Sequence, residues 1–283
     1  MVLPAARETH SVAEITANDG TRLFYEESGQ GRPLVMIHGW TFSGRFFRQV
    51  VPALSKHARV ITPDLRGHGR SDKPGHGYRV ARLAADLRDL LTALDLTDAT
   101  LLGWSLGCPI IWSYLELFGP DRVRDVVLVE QTPKQFQTAE WRKAHAQSFD
   151  QASTATMLMQ MKADPVKFDE QNLTSCTHVP PSEQEKLFLL GEMALSPVEA
   201  RAASMEDHTV HDWRDLLPHI EVPALVMVAK QDKVFPEGGP EWVGEHMQNA
   251  RTIDFEDSGH MIFHDEPEKF VAVVTGFLGE ARG

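Results

Sequence analysis

Cysteine is scarce in this 283-residue chain: Cys108 and Cys176 are its only two, too few for the disulfide framework of a small secreted scaffold. Positive charge is in deficit as well. Lys and Arg number 28 against 40 Asp and Glu, a formal net charge of −12, which repels phosphate backbones and argues against a nucleic-acid partner. No apolar run approaches the ~18–20 residues that span a bilayer, so no membrane partner is expected. The opening Met1-Val2-Leu3-Pro4-Ala5-Ala6-Arg7 lacks the basic region and long apolar stretch of a secretory signal. Internal repeats, low-complexity tracts, glycine-rich phosphate loops and calcium-loop spacings are missing too. What is there is an ordinary globular composition, 42% hydrophobic and 24% charged. A chain of this length buries a sizeable core without metals or disulfides. The expectation is a soluble, cytoplasmic protein with no cofactor and no metal, and the sequence leaves its oligomeric state open.

Hydrophobic patterning separates strands from helices. Val12–Thr16 and Arg22–Glu26 flank Asn18-Asp19-Gly20, a hairpin signal. Short, nearly continuous apolar runs follow at Leu34–Ile37, Arg59–Thr62, Thr100–Leu102, Val126–Val129 and Ala224–Val228, with a weaker one at Arg251–Phe255. Such runs mark strands buried on both faces. Between them, Leu83, Leu87, Leu90, Leu91 and Leu94 recur at helical spacing within Arg79–Leu94, and Leu106–Leu117 and Pro267–Leu278 read the same way. Alternating strand and helix predicts an α/β fold, a mostly parallel eight-stranded sheet with helices on both faces. The segment 131–210 carries no convincing strand. It is too long for a structureless loop and is predicted to be an inserted helical cap, leaving 1–130 and 211–283 as the core.

The sharpest motif is Gly103-Trp104-Ser105-Leu106-Gly107, placed after a strand and opening a helix, as a nucleophile elbow requires. The turn is tight enough to demand glycine at both ends, and it presents the Ser105 hydroxyl at a helix N-terminus, where developing negative charge is favoured. A nucleophilic serine needs a base, and the base needs an orienting acid. His260, in Asp257-Ser258-Gly259-His260, follows the last predicted strand, and Asp232 follows the strand Ala224–Val228. All three residues fall at the carboxyl ends of strands, where open α/β sheets carry their sites. Ile37-His38-Gly39-Trp40 ends another such strand. The backbone N–H groups of Trp40 and Leu106 are therefore the natural donors to an oxyanion, while His38 itself reads equally well as a packed histidine.

On these residues the chain resembles the α/β-hydrolase superfamily, and within it the cap-bearing esterase, lactonase and perhydrolase (cofactor-free haloperoxidase-like) branch. The resemblance rests on His38-Gly39-Trp40, Asp64-Leu65-Arg66-Gly67-His68-Gly69-Arg70-Ser71, Gly103-Trp104-Ser105-Leu106-Gly107, Asp232 and Gly259-His260. It implies Ser105 as nucleophile, His260 as base, Asp232 as acid and Trp40 with Leu106 as oxyanion donors. It also implies that Asp64–Ser71 is a structural loop. Glu130, at the end of the strand Val126–Val129, is the alternative acid, because some members carry the acid there. Cys108 departs from the small residue usual after the elbow and is expected to pack as a buried hydrophobe.

The expected activity is hydrolysis of a linear or cyclic carboxylic ester of a small, largely hydrophobic substrate. Trp104, Glu130, Phe136, Met157, Met159 and Met161 are the substrate-binding candidates. A serine at the elbow argues against dehalogenase and epoxide hydrolase chemistry, which uses a carboxylate there. Perhydrolysis, carbon–carbon bond hydrolysis and a ligand receptor on the same scaffold remain as alternatives. His208 and His211 lack the further ligand a zinc site needs and read as a polar surface segment.

Overall fold

Each short apolar run becomes a strand. β1 (His10–Thr16) and β2 (Arg22–Ser28) form the hairpin, followed by β3 (Pro33–Ile37), β4 (Arg59–Pro63), β5 (Ala99–Trp104), β6 (Val123–Val129), β7 (Ala224–Ala229) and β8 (Ala250–Phe255). The computed structural model describes residues 10–235 and 238–280; the opening Met1–Arg7 lies outside the described residues. The strands make one eight-stranded sheet in the order β1-β2-β4-β3-β5-β6-β7-β8. β2 is antiparallel to both neighbours and every other pairing is parallel.

The central strands β3 to β7 are buried on both sides because helices cover both faces. Side chains alternate along a strand, so Leu34 and Met36 of β3 join Leu54, Phe270 and Val274 in one core. Val35 and Ile37 join Leu87, Ile110 and Ile111 in the other. The first core is built with α1 (Val51–Leu54), α9 (Ile262–Asp265) and α10 (Pro267–Gly279), the second with α2 (Val80–Ala93), α3 (Gly107–Phe118) and α8 (Gly239–His246). Between β6 and β7 stand α4 (Gln151–Ala163), α5 (Pro165–Cys176), α6 (Glu183–Met193) and α7 (Val198–His208). Their starts are written locally. Asp150 accepts from the Ser153 N–H at 2.7 Å while the Ser153 hydroxyl accepts from the Asp150 N–H at 2.9 Å, a reciprocal cap. Asp164 caps α5, with Pro165 at its first turn. Among the described residues no helix is long and apolar enough to cross a membrane.

The loop Asp64–Ser71 is a scaffold piece. The Asp64 carboxylate accepts from the N–H groups of Gly44 at 2.8 Å and Arg70 at 2.7 Å. A side chain at Gly69 would start 2.1 Å from that carboxylate, and none of these residues borders the cavity at Ser105.

Candidate active site

Ser105 sits between β5 and α3 with φ +53°, in the left-handed region that non-glycine residues rarely occupy and that marks strain held for a purpose. The two flanking glycines allow the turn. A Cβ on Gly103 would lie 2.6 Å from the Gly107 carbonyl, and one on Gly107 would lie 2.4 Å from the Ile37 oxygen. Both obstacles are backbone, so neither can give way. Cys108 is buried just beyond, its Sγ donating to the Gly103 carbonyl at 3.1 Å, and burial pushes its thiol pKa far up. It packs and stays protonated.

His260 and Asp232 meet as the sequence order suggests. His260 Nδ1 lies 3.0 Å from Asp232 Oδ2, and both side chains are buried. Burial works to raise the Asp232 pKa, but the His260 ring and hydrogen bonds from its surroundings hold it below the usual carboxylate range. Asp232 Oδ1 also accepts from the Val234 N–H at 2.8 Å, which fixes the carboxylate. The loop bearing His260 is pinned from two sides. Trp104 Nε1 donates to the His260 carbonyl at 2.8 Å, and the Met261 N–H donates to the Cys176 carbonyl at 2.8 Å at the end of α5. Gly259 is needed there, because a Cβ would fall 2.9 Å from the His178 nitrogen.

Glu130 lies beneath this pair rather than in the cavity. Its side chain is buried, accepts the Ala229 N–H through Oε1, and its Oε2 has no other protein donor. Oxygen and nitrogen atoms of Glu130, Asp232 and His260 lie within 4.8 Å of one another. Burial, and then the Asp232 charge, raise the Glu130 pKa well above its ordinary 4.5. The protonated carboxyl can then donate to Asp232, which removes both the like-charge repulsion and the orphan oxygen. A group with a raised folded pKa contributes stability below its unfolded pKa and loses it as pH rises. Glu130→Gln keeps an acceptor for Ala229 and a permanent donor for Asp232. Its denaturation midpoint is therefore expected to exceed that of the parent increasingly from about pH 5 upward, read as Tm against pH. A parallel pair of curves would mean that Glu130 is ionised in the fold.

Among the described residues, the N–H groups of Trp40 and Leu106 donate to no protein acceptor. Both stand beside Ser105: Leu106 follows it, and a Cβ on Gly39 would lie 3.2 Å from the Ser105 Cβ. His38, buried and kept neutral by burial, joins the Gly39 carbonyl at 2.8 Å and accepts the Leu65 N–H at 3.0 Å. It shapes the loop rather than facing the cavity. The 131–210 segment clamps the same loop. Trp40 Nε1 donates to the Arg201 carbonyl at 2.8 Å, Asn172 Nδ2 to Thr41 Oγ1 at 3.1 Å, and Ser43 Oγ to Glu192 at 2.8 Å.

Ser105 and His260 border one narrow cavity whose free space is about 30 Å³, a water or so. Of the substrate-binding candidates, only Met157 reaches it. Met159 is 69% exposed on the outer side of α4, Met161 is buried in the core behind it, and Phe136 is half-buried away from the cavity. Trp104 is fully buried below the site, stacked on Phe42 at 4.6 Å between ring centroids, and Glu130 lies under Asp232. The walls are mixed instead of mainly apolar. Trp40, Phe42, Phe168 and Met205 line the cavity together with Gln135, His145, Asn172 and His208.

Three of these wall residues carry no sequence signal that places them at the cavity. His145 is one of 13 histidines, yet its Nδ1 accepts the N–H groups of Gln147 and Ser148 at 3.0 Å each, which places its proton on Nε2. Burial lowers its pKa to about 4. Gln135 lies in a loop without a motif. His208 is buried, not on the surface as its polar neighbours suggest, because α7 ends against the core there. Phe235 was within reach of the sequence: three residues after Asp232, it packs edge-on to His260 with centroids 5.4 Å apart.

Comparison with known proteins agrees with this architecture. A putative non-heme chloroperoxidase of Synechocystis is 30% identical over 263 residues, 90% of this chain and 94% of its own length. A pimeloyl-[acyl-carrier protein] methyl ester esterase of Vibrio vulnificus is 28% identical over 275 residues, 92% of this chain and 99% of its own. The esterase EaEST of Exiguobacterium antarcticum superimposes with a TM-score of 0.90 at 29% identity, covering 94% of this chain and 99% of that one. The family model for the alpha/beta hydrolase fold matches residues 32–185, and with the sheet order and the strand-end placement of Ser105, Asp232 and His260, the chain belongs to the α/β-hydrolase family.

Proposed function

We propose that the protein cleaves carboxylic esters, linear or cyclic, through an acyl-enzyme on Ser105, with 131–210 acting as a cap over the site. The observation that carries this reading is the strained Ser105 at φ +53° sharing a cavity with His260, whose Nδ1 is held by Asp232 at 3.0 Å. In the reaction, Ser105 Oγ bonds to the carbonyl carbon as its proton passes to His260 Nε2. Asp232 fixes the Nδ1–H tautomer and stabilises the imidazolium. The oxyanion takes the two free N–H groups of Trp40 and Leu106. Collapse breaks the carbon–oxygen bond, and His260 gives its proton to the leaving alkoxide. Water, deprotonated by the same histidine, then releases the acid. In a cyclic ester the leaving alcohol stays attached to the acyl group.

The cavity is too small for a substrate at rest, so the cap has to shift. A surface groove between α4 and α5 shares Gln147, Met157, Phe168, Asn172 and Ser175 with the cavity and is the entry route. Perhydrolysis is the second reading, favoured by relatives named chloroperoxidases: hydrogen peroxide would replace water on the acyl-enzyme and yield a peracid.

The test is a panel of 4-nitrophenyl esters together with an acetate-dependent peroxidation assay. With Trp40, Phe42, Met157 and Phe168 on the walls, kcat/KM is expected to rise from acetate to hexanoate. Burying ~100 Å² more of ligand at ~25 cal/mol per Å² gives ~2.5 kcal/mol, nearly a hundredfold. A flat or falling profile with brisk peroxidation would favour the second reading.

A further inference from the structure

Gln135 and His208 on the cavity wall belong to a hydrogen-bonding cluster that the ester chemistry does not use. Gln135 is 3% and His208 5% exposed, and both border the cavity that contains Ser105. Gln135 Nε2 lies 2.5 Å from His208 Nε2, and Gln131 Nε2 lies 3.4 Å from the same atom. Gln131 Oε1, Gln135 Oε1 and His208 Nδ1 are buried without a protein partner. Burial first, and then the neighbouring histidines, hold the His208 pKa down to about 3, so the ring is neutral, with one nitrogen a donor and the other an acceptor.

Either orientation of the glutamine amides leaves both a donor and an acceptor without a protein partner. If Gln135 donates to Nε2, then Nδ1–H is an unmet donor and the glutamine carbonyls are unmet acceptors. If the amides are turned, Nε2–H donates to them, Nδ1 becomes an unmet acceptor and the amide NH₂ groups are unmet donors. Buried polar groups are seldom left this way in a native protein. A partner that both donates and accepts fits both arrangements: a water suits the narrow cavity at rest, and a substrate hydroxyl has the same donor–acceptor chemistry and can take its place once the cap shifts. An anion is disfavoured because Asp207, next along α7, carries a carboxylate bonded to the Val80 N–H and to His211.

We infer that Gln135 and His208 form a subsite for a hydroxyl on the substrate, so that the preferred ester carries an alcohol group at the far end of its acyl or alcohol half. This rests on the ester reading above for the identity of the reacting group, not for the subsite itself. The same cavity is also lined by Met157, Phe168 and Met205, which suit a short apolar chain joining the two ends.

The experiment uses two matched pairs: methyl hexanoate with methyl 6-hydroxyhexanoate, and hexyl acetate with 6-hydroxyhexyl acetate. Hydrolysis is measured with the wild type, and binding of the intact esters with Ser105→Ala. The hydroxylated member of one pair is expected to win by about tenfold or more in kcat/KM and in Kd, since a site built for a hydroxyl discriminates strongly against its absence. Which pair responds tells whether the acyl or the alcohol half reaches the cluster. Gln135→Met, and separately His208→Met, should bring that ratio to one or below. An apolar pocket would show the opposite preference from the start, so equal or reversed ratios in the wild type overturn the subsite whether or not either variant folds. If neither pair is hydrolysed but the hydroxylated ester still binds more tightly, the subsite stands and the ester reading falls. Hydrolysis without that preference leaves the ester reading standing and removes the subsite.

Discussion

Ser105→Ala is expected to lower kcat for a 4-nitrophenyl ester by ~10³ or more while the protein keeps its Tm and circular dichroism. The expectation follows from where the hydroxyl is. Ser105 is 9% exposed at the cavity, and its backbone strain comes from the glycine-flanked turn, which alanine shares. Removing Oγ thus takes away the atom that bonds to the substrate and little that holds the fold. The residual rate would come from the free Trp40 and Leu106 amides and from binding. A variant that kept most of its turnover would remove Ser105 from the mechanism.

Asp232→Asn should also cost several orders of magnitude, about 10⁴ in kcat, as tautomer-trapping changes do. Asparagine can still accept the Val234 N–H that Asp232 Oδ1 accepts at 2.8 Å. Its NH₂ group would then face His260 Nδ1, driving the ring proton to Nε2, where it blocks proton abstraction from Ser105. Glu130→Gln makes the opposite case, because it preserves the donor toward Asp232 and the acceptor toward Ala229. Its kcat should fall by far less than that of Asp232→Asn. Measuring both variants on one ester decides which carboxyl acts on His260, and the reverse ranking would transfer the role to Glu130.

Much of the core was legible because its causes are local. Strands buried on both faces must be apolar throughout, which is why Leu34–Ile37 and Ala224–Val228 could be placed. The elbow was legible because steric exclusion by the adjoining backbone acts over a few residues at Gly103 and Gly107. Part of the placement of the three candidate methionines on α4 is already legible in helical spacing. On a helix, Met157 and Met161 share a face while Met159 points nearly opposite, and the structure buries the first two and exposes the third. Helical spacing could not tell that Met157 borders the cavity and Met161 fills the core. That depends on where α4 meets α5 and α7.

By itself, then, the sequence determined the α/β alternation, the glycine-flanked serine and the order of Ser105, Asp232 and His260 along the strand ends, since propensity, periodicity and close-range sterics act between chain neighbours. Only the tertiary structure decided that Asp232 and not Glu130 touches His260, that Arg201, Asn172 and Glu192 clamp the loop beside Ser105, and that His208 is buried against Gln135. These outcomes depend on contacts between residues 28 to 161 positions apart, set by how helices packed from different parts of the chain exclude water from one another's polar groups, which no local pattern encodes.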